Sequence, residues 1–310
     1  MTSRRSFLKN AFFSGITFCS CGLLDEALAQ YPASEEKKEL IARTKDAGND
    51  PELSYRHPWM GKKHAPVIID GKRIFTIDTH AHCFFPEAVA LAGEGAVINA
   101  AVKGGPQHYI PLSDRAAIQA NVMGVDFSNP KFDPVWAKAQ ELGATLFMHP
   151  QSTPQLASRF KGNGWLANTI GNPLDTTIAL QHLIFDGTLD KFPNLKIIAP
   201  HGGGYLASYA PRSDHSCFIS PSNCDPNIKL KKKPTEYLNQ LYFDSLVFTP
   251  EALRHLIAQV GASQIVIGTD QPIPWNEDPI GHVMETPISN KDKAKILGLT
   301  AAKLLNVKTT

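Results

Sequence analysis

The stretch IIAPHGGGYL, residues 197–206, runs an apolar, strand-like segment into His201 and a run of glycines. Three other segments follow the same plan: IDTHAHCFF at 77–85, LFMHP at 146–150 and IVIGTDQP at 265–272. Each sets a histidine or an aspartate just after residues suited to a buried strand. Together they offer His80, His82, His149, His201 and Asp270 as nitrogen and oxygen donors, the set that a catalytic Zn²⁺ or a similar divalent ion takes.

Working outward, the chain alternates between strand and helix patterns. Strands are expected at 145–148, 195–199, 241–243 and 264–267, with a short one at 125–127. Helices are expected at 113–124 with Ser113 as N-cap, at 133–143 stopped by Gly143, and at 174–186, 250–260 and 290–305. Upstream, PVIIDGKRIFTID reads as two strands joined at Asp70-Gly71, a dipeptide suited to a tight hairpin turn, with the second strand ending at His80. Strand and helix in turn predict an α/β fold on a parallel sheet. In such folds the chemistry collects at the C-terminal strand ends, where every one of these donors falls.

His80 and His82 are two apart at a strand end, so both side chains project to one face and can reach one ion. His149 and Asp270 come from separate strand ends. Three imidazoles and a carboxylate leave room for a bound water, whose pKa a metal brings to about 7. The glycines after His201 permit positive φ and close approach, which suits a wall around a small anionic substrate. His201 itself could serve as a further ligand, and the reading preferred here is a general base. His182, in IALQHLIFDG, reads as a packed core or interface histidine. His57, His64, His108, His215, His255 and His282 read as solvated or structural. Asp244, after LYF, suits a place facing the site and a capping role equally.

The remaining features set bounds. Net charge is +2, and Lys231 to Lys233 form the one basic cluster, which a solvated loop explains; nucleic-acid binding is not expected. Arg4 and Arg5, the apolar run from Ala11 to Leu24 and Ala27-Leu28-Ala29 have the layout of a twin-arginine export signal at 1–29. The expected location is the periplasm. That run is shorter than the roughly 20 residues that span a bilayer, so no stable membrane insertion is expected once the signal is cleaved. Residues 30–65 read as a polar leader or wrapping arm, and 66–310 as one metal-dependent barrel domain. Of five cysteines, Cys83, Cys217 and Cys224 follow the signal; Cys217 and Cys224 could pair in an oxidising compartment or stay free. The expected partner is a small molecule.

The motifs DTHAH, FMHP, GNPLDTTIALQHLIFDGTLDKFPNLKIIAPHGGG, YFDSLV and GTDQP, taken together from about Ile74 onward, resemble the amidohydrolase superfamily. Within it they are most similar to the branch around aminocarboxymuconate semialdehyde decarboxylase. The resemblance implies a metal-dependent, TIM-like (β/α) barrel, often a homodimer, that removes CO₂ from small unsaturated or aromatic carboxylic acids without an organic cofactor. It also implies that His80, His82, His149 and Asp270 hold Zn²⁺ or another divalent metal, with Asp270 also catalytic, and that His201 moves the proton from outside the metal's ligand shell.

Two departures from that family stand out. The interval from His82 to His149 is too short for the usual three strand-helix units at about 30 residues each, so the barrel is expected to lack about two units between 82 and 149. An arginine that the branch uses on its dicarboxylate is replaced by Ser220, although Arg212 lies nearby. A metal-dependent hydrolase or hydratase on the same scaffold, and an inactive truncated homologue, are the competing readings.

Overall fold

The computed structural model describes residues 66–81, 118–119, 121–122, 125–150, 153–270, 275 and 278–309. The expected export signal, the 30–65 arm, His82 and Cys83 lie outside the described residues.

The hairpin forms where Asp70-Gly71 places it. Strands β1 (Ile68–Ile69) and β2 (Lys72–Arg73) pair antiparallel, and both turn residues take positive φ, Asp70 at 50° and Gly71 at 73°. That is what a two-residue turn matching the strand twist requires. The second strand stops at Arg73 rather than His80. Residues 74–80 continue outside any ladder, and Ile77 and Thr79 donate to the carbonyls of Leu297 and Ile267.

Strand β3 (Ile118–Gln119) pairs parallel with the strand that ends at His149, while β4 (Asn121–Val122) and β5 (Val125–Asp126) form an antiparallel pair. The expected helix over 113–124 is therefore corrected at 118–119 and 121–122; its other residues lie outside the described ones. A window this short fits periods of 2 and 3.6 alike. Pairing with a neighbouring strand satisfies the same backbone groups a helix would have satisfied. The strand expected at 125–127 exists, but as half of a hairpin and not as a member of the parallel sheet.

From here the expected strands and the helices expected at 133–143, 174–186 and 250–260 are found in order, with further short helices between them. Helix α1 (Asp133–Leu142) ends at Gly143, whose φ of 60° turns its amide back onto Ala139 and Gln140. Trp136 of α1 is fully buried and donates its indole N–H to Phe127 O at 2.9 Å. Strand β6 (Thr145–His149) follows, and a π turn at Ala167–Gly171 leads into α2 (Asn172–Phe185). Next come α3 (Thr188–Lys191), β7 (Lys196–Ala199), α4 (Leu206–Ser213) and α5 (Ser216–Ile219). The chain continues through β8 (Leu241–Asp244), α6 (Pro250–Val260), β9 (Ile265–Val266) and α7 (Gly281–Glu285). Cys217 and Cys224 form a disulfide across the turn after α5.

The strands make one parallel sheet in the order β3-β6-β7-β8-β9, with residues 79–80 bonded beside the end of β9. Alternate strand residues divide between two apolar layers. Met148, Ile197, Ala199, Leu241, Phe243 and Ile265 join α2, α4 and α6 in the main core. Phe147, Ile198 and Tyr242 are in register with one another and face the other way, beside Val266. His149 and Asp244 share that second face, two residues beyond Phe147 and Tyr242, because side chains alternate along a strand.

The C-terminal helix expected at 290–305 is three pieces: α8 (Asn290–Ala294), a π turn at Lys295–Leu299, and α9 (Thr300–Leu305). Ala301 and Leu304 of α9 cluster with Ile198 and Val266 on the second face, and Thr145 Oγ1 donates to Leu304 O at 3.1 Å. The break coincides with a close approach from far upstream in the chain. At Gly298 the backbone passes so close to residue 75 that an added Cβ would lie 2.0 Å from Phe75 O.

Gly298→Ala should accordingly destabilise the protein by about 1–3 kcal/mol, the usual cost of forcing an extra carbon into a packed site. Urea denaturation followed by far-UV circular dichroism measures it. An unchanged midpoint would mean that residue 75 does not pack against this turn.

Candidate metal centre

Four side chains from four segments converge at the C-terminal strand ends. His80 comes from the 74–80 run, His149 from the end of β6, His201 from the turn after β7 and Asp270 from just beyond β9. One donor atom from each lies within 4.8 Å of every other. The three imidazoles stand edge to face, with ring centroids 5.0 to 5.8 Å apart. Three ring nitrogens and a carboxylate oxygen at this spacing suit a divalent metal. His82 falls outside the described residues, whereas His201, read from sequence as a proton carrier, stands inside the donor cluster.

His80 is held from both sides. Its Nδ1 lies 2.6 Å from Asp244 Oδ2 and its Nε2 3.1 Å from Asp270 Oδ1. Burial opposes a charge on this ring, yet the Asp270 and Asp244 carboxylates outweigh it and raise the imidazole pKa to about 10. Asp244 is itself fully buried. Burial works against its charge, but the His80 ring bond, the nearby His201 and the Gly202 amide hold its carboxyl below the ordinary range. An ionised carboxylate can only accept, so both ring nitrogens of His80 donate, Nδ1 to Asp244 and Nε2 to Asp270; a metal in the cluster would take the place of the Nε2 proton while Asp244 keeps the one on Nδ1.

Asp244 does more than orient His80. Its Oδ1 accepts from the amides of Gly202 at 2.9 Å and Leu246 at 3.1 Å. The two roles that seemed alternatives from sequence, capping and site-facing, are filled by its two oxygens. Asp78 performs the matching task for the first segment: it accepts from the His80 amide and from both the amide and the hydroxyl of Thr269. Asp270 then donates its own amide to His80 O at 2.7 Å, which locks the two ligand-bearing segments together.

The glycine run takes the positive φ and the close approach expected of it. His201, Gly202, Gly203 and Gly204 all take positive φ. An added Cβ would stand 2.4 Å from Val247 Cγ1 at Gly202, 2.5 Å from Phe243 Cδ1 at Gly203 and 2.1 Å from Pro173 O at Gly204. The glycines allow a tight turn packed against β8, the residues just after it and α2, and Gly202 donates its amide to Asp244. Left-handed backbone at residues other than glycine gathers here too: among the six described cases are His201, Asp270, Trp165 and Phe248. Such conformations are costly, and they persist where the surroundings over-determine them, typically at working sites.

Other expectations resolve individually. His182 is not packed in a core; its side chain is 44% exposed and pairs with Asp186 at 3.0 Å and Asp126 at 3.5 Å. His282 is structural, buried with Nε2 2.9 Å from Ser245 O. His255 sits on the surface beside Ser208. An aromatic group beside the cluster escaped the sequence reading: Trp275 donates its indole N–H to Asp270 Oδ2 at 2.7 Å, and stacks on Trp165. A tryptophan five residues after the GTD motif was the available clue.

Residues 82–307 match the family description for amidohydrolases. The chain belongs to the amidohydrolase family. The 2-amino-3-carboxymuconate-6-semialdehyde decarboxylase of Dictyostelium discoideum is 31% identical over 192 residues, 61% of this chain and 52% of that protein. The gamma-resorcylate decarboxylase of Polaromonas sp. (strain JS666) is 30% identical over 168 residues, 53% of this chain and 51% of that one. This amidohydrolase thus spans about half the length of the curated relatives it matches. Among solved structures, a dihydroxybenzoic acid decarboxylase from Polaromonas sp. JS666, with bound manganese and the inhibitor 2-nitroresorcinol, superposes at a TM-score of 0.53. It is 27% identical, over 59% of this chain and 56% of that one. The fold is accordingly the α/β class of these TIM-barrel neighbours, a parallel sheet with packed helices.

Asp244→Asn keeps the shape of the side chain but removes the charge that orients His80. It should weaken Mn²⁺ or Zn²⁺ binding by about 10- to 100-fold, as loss of such outer partners generally does. Isothermal titration of the metal-free protein measures this. Affinity within twofold of the parent would show that His80 needs no such partner.

Proposed function

We propose that the protein is a metal-dependent carboxy-lyase that removes CO₂ from a small unsaturated or aromatic carboxylic acid. The observation that carries this reading is the convergence of His80, His149, His201 and Asp270 within 4.8 Å at the strand ends of an amidohydrolase whose relatives are decarboxylases. His80, His82, His149 and Asp270 would hold Zn²⁺ or another divalent ion, and manganese in the dihydroxybenzoic acid decarboxylase supports the broader choice of metal. When bound, the ion supplies a positive charge that holds the acid and stabilises the negative charge developing as the carboxylate leaves.

The chain's own residues do the rest. Asp244 keeps the proton on Nδ1 of His80 and so presents Nε2 as a donor. His201, with Nε2 3.9 Å from Asp270 Oδ2, carries the proton. The bond between the carboxyl carbon and its neighbour breaks, the electron pair stays with the neighbour, CO₂ departs, and His201 delivers a proton to that carbon. Burial of His149 and Asp270 keeps bulk water from the charges involved.

The test is release of CO₂ from a panel of hydroxybenzoic and muconate-type acids by the Mn²⁺- or Zn²⁺-loaded protein, with chelation abolishing it. His201→Asn should lower kcat by about 10²- to 10⁴-fold, the range for general acid–base groups, while metal uptake persists. Hydrolysis of esters or lactones with no CO₂ would overturn the lyase reading. Loss of metal uptake in His201→Asn would make His201 a ligand instead.

Three further parts of the reading concern context. A barrel shortened by about two units between 82 and 149 is supported by the length of that interval, too short for three units of about 30 residues each. Export to the periplasm by the twin-arginine route is supported by the layout of residues 1–29 and by the Cys217–Cys224 disulfide, which an oxidising compartment permits. A homodimer is supported by Phe218 and Ile219 on α5, which are 85% and 74% exposed. A monomeric mass by light scattering at micromolar concentration would overturn the last.

A further inference from the structure

Trp275 is joined to the metal-ligand cluster by polar and aromatic contacts at once. Its indole N–H donates to Asp270 Oδ2 at 2.7 Å, while Asp270 Oδ1 faces His80 Nε2 at 3.1 Å. The two oxygens of one buried carboxylate are therefore assigned to different tasks. The indole ring is in turn fixed by its neighbours. Trp165 stacks on it with centroids 5.4 Å apart and planes 17° from parallel, and Phe248 meets it edge-on at 6.2 Å and 75°. Both of these neighbours, like Asp270, take positive φ, at 50°, 68° and 57° respectively. Three bulky or functional residues in a conformation that such side chains rarely adopt, all touching one indole, mark an arrangement the surrounding structure enforces.

We propose that Trp275 is a positioning residue for Asp270: its N–H restrains Oδ2 and leaves Oδ1 as the single oxygen aimed at a metal, and Trp165 and Phe248 hold the indole in place for that purpose. The proposal rests on the metal-centre reading above and deepens it. Tryptophan suits the task because its nitrogen is only ever a donor. It cannot accept a proton or compete for the ion. A donor to a ligand carboxylate fixes the ligand's direction, and loss of such an outer partner generally costs about 10- to 100-fold in metal affinity. By engaging Oδ2 the indole also directs Asp270 toward ligation rather than proton transfer, which leaves the proton to His201.

The experiment is Mn²⁺ titration of the full-length, metal-free protein, by calorimetry and by the electron paramagnetic resonance of the bound ion. Trp275→Phe keeps an aromatic ring against Trp165 and deletes only the donor. It should bind Mn²⁺ about 10- to 100-fold more weakly and alter the resonance line shape, with the thermal midpoint of the metal-free protein unchanged. Trp165→Phe, which keeps the donor but trims the stack that holds it, should weaken Mn²⁺ binding by less than Trp275→Phe does. Unchanged Mn²⁺ affinity and line shape in Trp275→Phe would overturn the proposal.

If Trp275→Phe proves unstable, the Trp165→Phe background supplies the second measurement. There the emission, which Trp275 shares with Trp59 and Trp136, should fall in part as one Mn²⁺ is taken up per chain, and an unchanged emission would overturn the proposal. Absence of stoichiometric uptake by the parent protein would overturn the metal-centre reading together with this one. Parent uptake with an unaffected Trp275→Phe removes the role of Trp275 alone.

Discussion

The contact on which the rest of the site depends is His80 caught between two buried carboxylates, Asp244 on Nδ1 and Asp270 on Nε2. Each belongs to a different part of the sheet. Asp244 closes β8 and also holds the Gly202 amide of the turn after β7, while Asp270 follows β9 and donates its amide back to His80. Through one imidazole and its two partners, the three segments that carry His80, His201 and Asp270 are fixed relative to one another. Buried charges of this kind are costly without partners and orientation. Once the carboxylates and the ring are mutually satisfied, the same cost makes alternative arrangements unfavourable.

Packing enforces what the polar contacts define. The turn that begins with His201 can close only because glycines occupy the three following positions, each pressed against Val247, Phe243 or Pro173. That places His201 chiefly by steric constraint, with its carbonyl accepting from the Gly204 amide at 3.1 Å. Asp78, two residues before His80, binds Thr269, one residue before Asp270, so the ends of two segments distant in sequence form one rigid edge. The site's geometry is therefore inherited from the sheet ends rather than from flexible loops, which suits a function that needs donor atoms held to fractions of an ångström.

The parts of the fold most legible in the sequence were those with a strong local pattern. Helices α1, α2 and α6 and strands β6, β7 and β8 fall within a few residues of expectation, because apolar periodicity and punctuation by Gly143, Gly187 and Gly261 act locally. Residues 118–119 were misread as helix because their structure depends on pairing with β6, some 30 positions away, while 121–122 pair with 125–126. The π turn that divides the C-terminal helix was equally hidden. It answers to Phe75, over 200 residues upstream, and no local signal encodes that approach.

The sequence by itself offered five donors, His80, His82, His149, His201 and Asp270, and strand ends of a parallel sheet meet at one side; the structure brings four of them together, His201 among them, while His82 lies outside the described residues. The sequence also carried the family motifs that make the chain an amidohydrolase. Only the tertiary structure decided the partners: which oxygen of Asp244 meets His80, that Gly202 serves the same carboxylate, that Cys217 and Cys224 pair, and that Trp275 engages Asp270. The reason is physical. A residue's chemical type and strand position are local properties, while the direction of its hydrogen bonds is set by side chains that come from elsewhere in the chain.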